Sequence, residues 1–432
     1  MAEPKIVLIG GGSYAWTPTI VRDIVVTRDL EGSTITLHDV DPQSLDVMLA
    51  LGKKIIESGK GKYKIEATTN RREALRDADF VVLTISTGGL EAMRHDLEIP
   101  LRYGIYQSVG DTVGPGGISR SLRNIPVVLE MARDMEDLCR DVLLINYSNP
   151  MTTICRAVTK VTRIKTIGLC HGLNEVLGML RGIFDIRSED EMHVKAAGIN
   201  HLPWIIELSV RGEDGLNLLR EYVERNGVSI SPVKMEIFKA FGCLPGTGDR
   251  HVAEFFPHFL TKEADGGLKY GVRLTTIEDR LRSRERQIER VNDMLSGKVS
   301  IEMKRSDEAA SGIISAIANR RYEVDILNIP NRGQIDNLPR DSVVETYGVV
   351  GPGGAEGITV GDVPPAVQSI LHQHIAKQEL AVEAALYRDR SLALQAMLLD
   401  PLVRDFGTAG KMLDELLEAN RRLLPQFFRN GG

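Results

Sequence analysis

Gly10-Gly11-Gly12-Ser13-Tyr14-Ala15 follows the short apolar run Lys5 to Ile9 and precedes Thr17-Pro18, so the chain opens as strand, glycine turn and helix. In the pattern Gly10-x-Gly12-x-x-Ala15 the first glycine makes the turn and the second lets the backbone approach a pyrophosphate. The third small residue lets helix and strand pack. Thr17 is the expected helix cap, with Pro18 in the first helical position, where its missing N–H leaves no bond unmade. The helix start then faces the phosphates. A second strand, Thr34 to Leu37, ends at His38-Asp39. A carboxylate there accepts hydrogen bonds from a ribose 2′-hydroxyl and repels a 2′-phosphate, which favours NAD over NADP. Gly10, Gly11, Gly12, Ser13 and Asp39 are therefore the candidate cofactor contacts, whereas Asp41 suits the turn before Pro42.

The same alternation continues. A helix from Pro42 to Ser58, the segments Ile65 to Ala67, Arg71 to Ala78 and Phe80 to Ile85, a long helix near Ile118 to Leu138, and strands at Val142 to Asn146 and Ile164 to Leu169 follow in turn. Strands alternating with helices predict an α/β fold with a doubly wound, parallel, Rossmann-type sheet. Beyond about residue 190 the pattern changes to strand-like segments, His193 to Ala197 and Trp204 to Val210, and then to long helices. These are expected near Thr276 to Leu295, Ser306 to Ala318, Pro365 to Leu386 and Gly410 to Leu424, with strands and turns across the Gly- and Pro-rich stretch Asn331 to Pro364. The boundary expected is therefore a nucleotide domain over 1–190 and an α+β substrate, metal-binding and oligomerisation domain over 191–432. Two domains suit a chain of 432 residues.

Composition narrows the classes. A net charge of −6 with 26% charged residues gives no basic surface for nucleic acid or anionic lipid. Apolar runs such as Phe80 to Ile85 fall far short of the roughly 20 residues that span a bilayer, so a cytoplasmic protein is expected. Four cysteines at irregular spacings are too sparse for a disulfide framework. Reduced thiols leave Cys170 free to bind a metal. It stands where the strand Ile164 to Leu169 runs out, next to His171, and His201 lies in a second apolar segment, Ala196 to Ile206. Thiolate and imidazole are both good transition-metal ligands, and an incomplete shell leaves room for substrate or water.

Asn149-Pro150 after a later strand first suggests a lactate or malate type dehydrogenase, but the histidine segment such enzymes need is missing. The chain instead resembles glycoside hydrolase family 4, whose nucleotide domain is related to those dehydrogenases. The resemblance runs through most of the sequence. It is carried by IGGGSYAWTP (Ile9 to Pro18), GDTVGPGGISRSLRNIP (Gly110 to Pro126), NYSNPM (Asn146 to Met151), GLCHG (Gly168 to Gly172), GINHLPW (Gly198 to Trp204) and GDRHVAEFFP (Gly248 to Pro257). This family is the NAD-dependent exception to two-carboxylate glycosidases.

The resemblance implies that NAD⁺ takes a hydride from C3 of a glycoside, that a base removes the acidified C2 proton, and that the aglycone leaves before water adds and the hydride returns. A divalent metal, manganese by family resemblance, polarises the sugar oxygens. Carried over by position, Cys170 and His201 become metal ligands and Asn149 a substrate contact. Asp249 is the first candidate for the C2 base and Asp111 the second. His171 is the candidate acid for the leaving oxygen. Arg94 and Arg250 are further candidate substrate contacts. An assembly of two or four copies is expected, with a small-molecule glycoside as the only other partner.

Cys170-His171-Gly172 departs from the Cys-His-Glu of the α-glucosidase and α-galactosidase groups and from the Cys-Asn or Cys-Asp of the 6-phosphoglycosidases. It looks most like the α-galacturonidase branch. Losing the Glu removes a like charge from a pocket that must hold a substrate carboxylate. Arg94, Arg120 or Arg250 is the expected partner of that carboxylate. The alternatives are a neutral α-glucosidase or α-galactosidase, and a 2-hydroxy acid dehydrogenase.

Overall fold

The computed structural model describes residues 3–227 and 230–428. Its strands are β1 (Lys5–Ile9), β2 (Thr34–His38), β3 (Lys64–Thr68), β4 (Phe80–Leu83), β5 (Leu143–Asn146) and β6 (Lys165–Gly168) in the first part of the chain. There follow β7 (Met192–Ile199), β8 (Leu202–Val210), β9 (Glu213–Asp214), β10 (Leu244–Pro245), β11 (Glu323–Pro330), β12 (Val343–Gly351) and β13 (Gly354–Gly357). All belong to one sheet of 13 strands in the order β10-β8-β7-β12-β11-β6-β5-β4-β1-β2-β3, with β9 on β8 and β13 on β12.

From β3 to β6 the strands are parallel in the order 3-2-1-4-5-6, the doubly wound arrangement that binds ligands outside the carboxyl ends of the strands. The expected fold class is present. Both faces of this parallel part are covered, which is why its strands read as unbroken apolar runs. Val7 and Ile9 of β1 enter one core, and Ile6 and Leu8 enter the other. β11 joins antiparallel to β6 through the pair Asn328 and Gly168, so the later strands extend the same sheet.

The later helices do not stay at the far end of that sheet. Ile313 and Ile314 of the helix Ala310–Ala318 complete the core that holds Ile6 and Leu8. Val367 and Leu371 of the helix Pro365–Tyr387 complete the other. Chain from beyond residue 300 thus closes both faces of the nucleotide-binding sheet. Among the described residues no helix is long and apolar enough to cross a membrane.

Three boundaries differ from expectation for local reasons. The first helix spans Thr17–Val26 with Trp16 at its cap position, because the Thr17 hydroxyl donates to Gly11 O at 3.0 Å instead of capping. The helix expected from Ser306 starts at Ala310, since Ser306 N donates to the buried Asp23 carboxylate at 3.0 Å and holds that segment out of the helix. The last long helix runs Phe406–Ala419, started by Asp405, whose carboxylate accepts from Thr408 N at 2.6 Å.

Candidate active site

The glycine turn is built as the sequence requires. Gly10 has φ of 92°, and a Cβ there would lie 2.5 Å from Thr84 O, so only glycine fits. Gly10 N and Gly11 N both donate to His38 O, at 3.0 and 2.8 Å, pinning the turn to the end of β2. Asp39 accepts from Gly12 N at 2.9 Å, and Asp41 caps the helix Pro42–Gly59 through Gln43 N at 3.0 Å. Together Gly10, Gly12, Ser13, Asp39 and Thr84 to Gly88 line a cavity of about 600 Å³. The cavity is of the size a dinucleotide's buried parts need. Asp39→Ala is expected to lower the ratio of NAD to NADP affinity by about 1 to 3 kcal/mol, measured by calorimetry with both cofactors. Equal losses for the two would reduce Asp39 to a support of Gly12.

A second group of polar side chains gathers near the carboxyl ends of the parallel strands. Asp111, His201 and His251 present donor atoms that all lie within 4.8 Å of one another. Three different parts of the chain supply them. His201 sits at the tip of the hairpin β7–β8 with φ of 64°, and its neighbour Asn200 ties that tip to the buried Glu345 of β12 at 2.9 Å. Asp111 lies in the loop between the helices Gly89–Arg102 and Gly114–Leu138. His251 lies in the turn Asp249–Val252.

Glu254 stitches the last two together. Its buried carboxyl accepts from Val109 N and Gly110 N, both at 2.8 Å, while Arg250 O accepts from Ser108 Oγ at 2.5 Å. Burial pushes the Glu254 carboxyl up to about 8, against the two N–H donors that favour its charge.

Hydrogen bonding fixes how these groups carry their protons. Burial opposes the Asp111 charge, but the Arg120 guanidinium beside it, helped by the Thr112 hydroxyl, prevails and holds the carboxyl below the usual carboxylate range. An ionised carboxylate only accepts, so the Thr112 hydroxyl must donate to Asp111 Oδ1 at 2.8 Å. That hydroxyl therefore accepts at its 2.9 Å contact with His201 Nδ1. His201 must then carry its proton on Nδ1, leaving the Nε2 lone pair free. Burial also keeps His201 neutral, well below the usual histidine range, helped by His251. The two rings lie 3.9 Å apart between centroids, and His251 Nδ1 is buried with no hydrogen-bond partner. A neutral imidazole oriented by a second group, beside a carboxylate and a second imidazole, is the chemistry of a divalent-cation site.

The other expected site residues fall in different places. Asn149 donates to Asp111 Oδ2 at 3.4 Å, and its own Oδ1 is buried without a partner. Arg120 donates from Nε to Asn149 O at 3.0 Å and faces Asp111. Cys170 follows β6 and its Sγ accepts from Gly172 N at 3.5 Å; it is not one of the three donors within 4.8 Å. Its thiol is pushed up by burial and by Glu345, so it ionises only when a cation compensates. His171 is half exposed between Glu308 at 3.3 Å and Glu175 at 3.5 Å, and the hydrogen bond to Glu308 raises its proton affinity.

Asp249 does not reach the cluster. Its carboxylate accepts from Val233 N at 3.0 Å and Lys234 N at 3.3 Å, satisfying the start of the helix Pro232–Phe241, and Lys234 Nζ pairs with it at 3.1 Å. Arg94 is exposed and pairs with Glu98 at 2.9 Å. Arg250 spends its donors on Ser108 O and Thr275 Oγ1, both at 2.6 Å. Thr112 and His251 were not singled out in the sequence, although His251 lies inside a segment that was.

Two sequence profiles of "Family 4 glycosyl hydrolase" match this chain, the first over residues 5–187 and the C-terminal domain over 196–403. The chain belongs to glycosyl hydrolase family 4. An alpha-galacturonidase of Bacillus subtilis is 34% identical over 441 residues, spanning 96% of this chain and 97% of its own. The solved structure of lplD from Bacillus subtilis has a TM-score of 0.90 at 33% identity, covering 96% of this chain and 100% of that one. A 6-phospho-beta glucosidase of Thermotoga maritima, solved with manganese, NAD⁺ and glucose-6-phosphate, has a TM-score of 0.82 at 25% identity, covering 97% and 98%. A lactate dehydrogenase of Cryptosporidium parvum shares the fold alone, with a TM-score of 0.55 at 13% identity over 89% of this chain and 98% of that one. Family 4 membership makes the protein a glycoside hydrolase, and the dehydrogenase likeness is one of architecture.

Proposed function

We propose that the protein hydrolyses α-linked galacturonides in an NAD- and metal-dependent reaction. Residues 1–190 bind the cofactor and carry Asp111, Arg120, Asn149, Cys170 and His171, while residues 191–432 add His201 and His251 to the metal site. The observation that carries the reading is the Asp111, His201 and His251 cluster, with Thr112 Oγ1 2.9 Å from His201 Nδ1, standing beyond a glycine-turn cavity that fits a dinucleotide. When bound, NAD exchanges a hydride with C3 of the sugar and a divalent cation such as Mn²⁺ draws electron density from the sugar oxygens.

The chain's own residues do the rest. His201 Nε2 is the free lone pair offered to the cation, with Cys170, Asp111 and His251 as its companions. Asp111 precedes Asp249 as the group that takes the C2 proton, because a carboxylate oxygen of Asp111 lies within 4.8 Å of the His201 and His251 nitrogens while the Asp249 carboxylate is filled by a helix start. His171, its proton affinity raised mainly by Glu308, holds a proton for the leaving oxygen. Asn149 Oδ1 accepts from a sugar hydroxyl, which would satisfy an otherwise orphaned buried oxygen. Arg120 is the partner of the substrate carboxylate in preference to Arg94 and Arg250, whose donors are engaged elsewhere.

Gly172 supports a uronide. A Cβ there would stand 2.4 Å from Thr247 Oγ1, so the motif leaves no room for the carboxylate that the neutral-sugar groups carry. The test is a panel of aryl α-galacturonide, glucuronide, glucoside and galactoside with NAD⁺, Mn²⁺ and a thiol reductant. Galacturonide should lead. Because Gly172→Glu also forces Thr247 aside, Gly172→Gln is its control, sharing the clash without the charge. Glu should suppress uronide turnover at least tenfold more than Gln does, by like-charge repulsion, and the two should act alike on neutral sugars. A preference of the wild type for a neutral hexoside would end the uronide assignment.

A further inference from the structure

The cofactor cavity has a wall that the glycine motif does not announce. The helix Ile277–Ser296 lies across it, anchored by buried Ile277, Val291 and Met294 and by Lys54 Nζ donating to Leu295 O at 2.9 Å. Arg280, Arg284 and Gln287 recur at i, i+4 and i+7, so one stripe of this helix faces Gly10, Gly12, Ser13, Asp39 and Asp41 across a gap of about 600 Å³.

Two cations on this stripe are left uncommitted. Arg282, on another side of the helix, pairs with Asp279 at 2.5 Å. Among the described residues neither Arg280 nor Arg284 enters an ion pair or a side-chain hydrogen bond, and Arg280 Nε is buried with no partner at all. Asp41, the acid whose charge Arg284 favours, has already committed its carboxylate to Gln43 N at 3.0 Å and Ser44 Oγ at 2.6 Å. A buried guanidinium donor without an acceptor is costly unless a ligand brings one. The ligand that fits two guanidinium groups opposite a glycine turn and a helix start is a pyrophosphate, with two negative charges and planar pairs of acceptor oxygens.

We propose that Arg280 and Arg284 hold the pyrophosphate of the dinucleotide from the wall opposite the glycine turn, so that chain more than 260 residues beyond the turn completes the cofactor site. The inference rests on the NAD reading above and adds residues to it. Its test is calorimetry of the full-length protein, without metal or glycoside, using NAD, ADP and adenosine as ligands. Arg280→Gln and Arg284→Gln are each expected to weaken NAD and ADP by about tenfold or more and to leave adenosine unchanged, with partial recovery in the Lys variants. Arg286→Gln, on an exposed position of the same helix that does not line the cavity, should bind all three as the wild type does.

An unchanged NAD and ADP affinity in either variant overturns the assignment for that residue. Equal weakening of adenosine would mean a structural defect and would overturn it too. A wild type with no NAD affinity would sink the functional reading as well, whereas intact binding by the variants sinks this inference alone.

Discussion

Asp111→Asn should lower kcat by about two to four orders of magnitude while leaving NAD affinity where it is. Asn keeps the size of the side chain and can still accept from the Thr112 hydroxyl, which lies 2.8 Å away. What it loses is the negative charge that Arg120 favours, and with it the capacity to take a proton. The cofactor cavity is lined without Asp111, so dinucleotide binding has no reason to change. Because Asp111 also lies among the metal donors, the rate must be measured across a Mn²⁺ titration. A group that only held the cation would be rescued by saturating metal. One that takes the C2 proton would not be, and exchange of solvent deuterium into C2 should fall in step with kcat. Full activity at saturating Mn²⁺ would remove Asp111 from the chemistry. Asp249→Asn offers the contrast, since it should lower stability by leaving the buried Lys234 ammonium without its partner while leaving the chemical step within a few-fold.

That contrast shows where sequence reading reaches and where it stops. The strand, glycine turn and Asp39 lie within some forty residues, and their geometry follows from local backbone rules. β1, the turn and the end of β2 were therefore legible before any fold was known. Asp249 stands in a segment shared with the family, beside Arg250 and His251, and nothing in its sequence says which of the three points inward. Its carboxylate is drawn off by a helix start sixteen residues earlier, at Val233 N, which only tertiary packing reveals. Thr112 gave no signal because a threonine after an Asp fits any turn. Its importance comes from standing between Asp111 and a histidine 89 residues away. The same holds for the helix Ile277–Ser296. The sequence marks it only as a helix, and its contact with the cofactor cavity depends on the chain folding back over the first sheet. Strand periodicity also does not disclose that β11 lies beside β6, because a single antiparallel register between distant segments leaves no local mark.

His201→Ala is expected to abolish measurable Mn²⁺ binding and turnover together, and Thr112→Val should reproduce part of that loss without touching a ligand. One hydroxyl proton links the two residues. Thr112 donates to the ionised Asp111 and so accepts from His201 Nδ1, which leaves Nε2 bare for the cation. Valine matches threonine in shape but can do neither. His201 is then free to carry its proton on Nε2, where it blocks coordination, and the ring loses the contact that orients it. Removing an orienting partner of this kind typically weakens metal affinity or activity by about 10- to 100-fold. Electron paramagnetic resonance of free Mn²⁺, titrated with wild type, Thr112→Val, His201→Ala and Cys170→Ala, reads this without relying on catalysis. Thr112→Ser keeps the hydroxyl and should bind as the wild type does. Unchanged affinity in His201→Ala would take the cation away from this cluster altogether. Unchanged affinity in Thr112→Val would keep the cation there and break the link from hydroxyl to tautomer. Cys170→Ala decides the remaining ligand: a loss comparable to that of His201→Ala would make the thiol, ionised by the cation against its burial, a direct partner of His201.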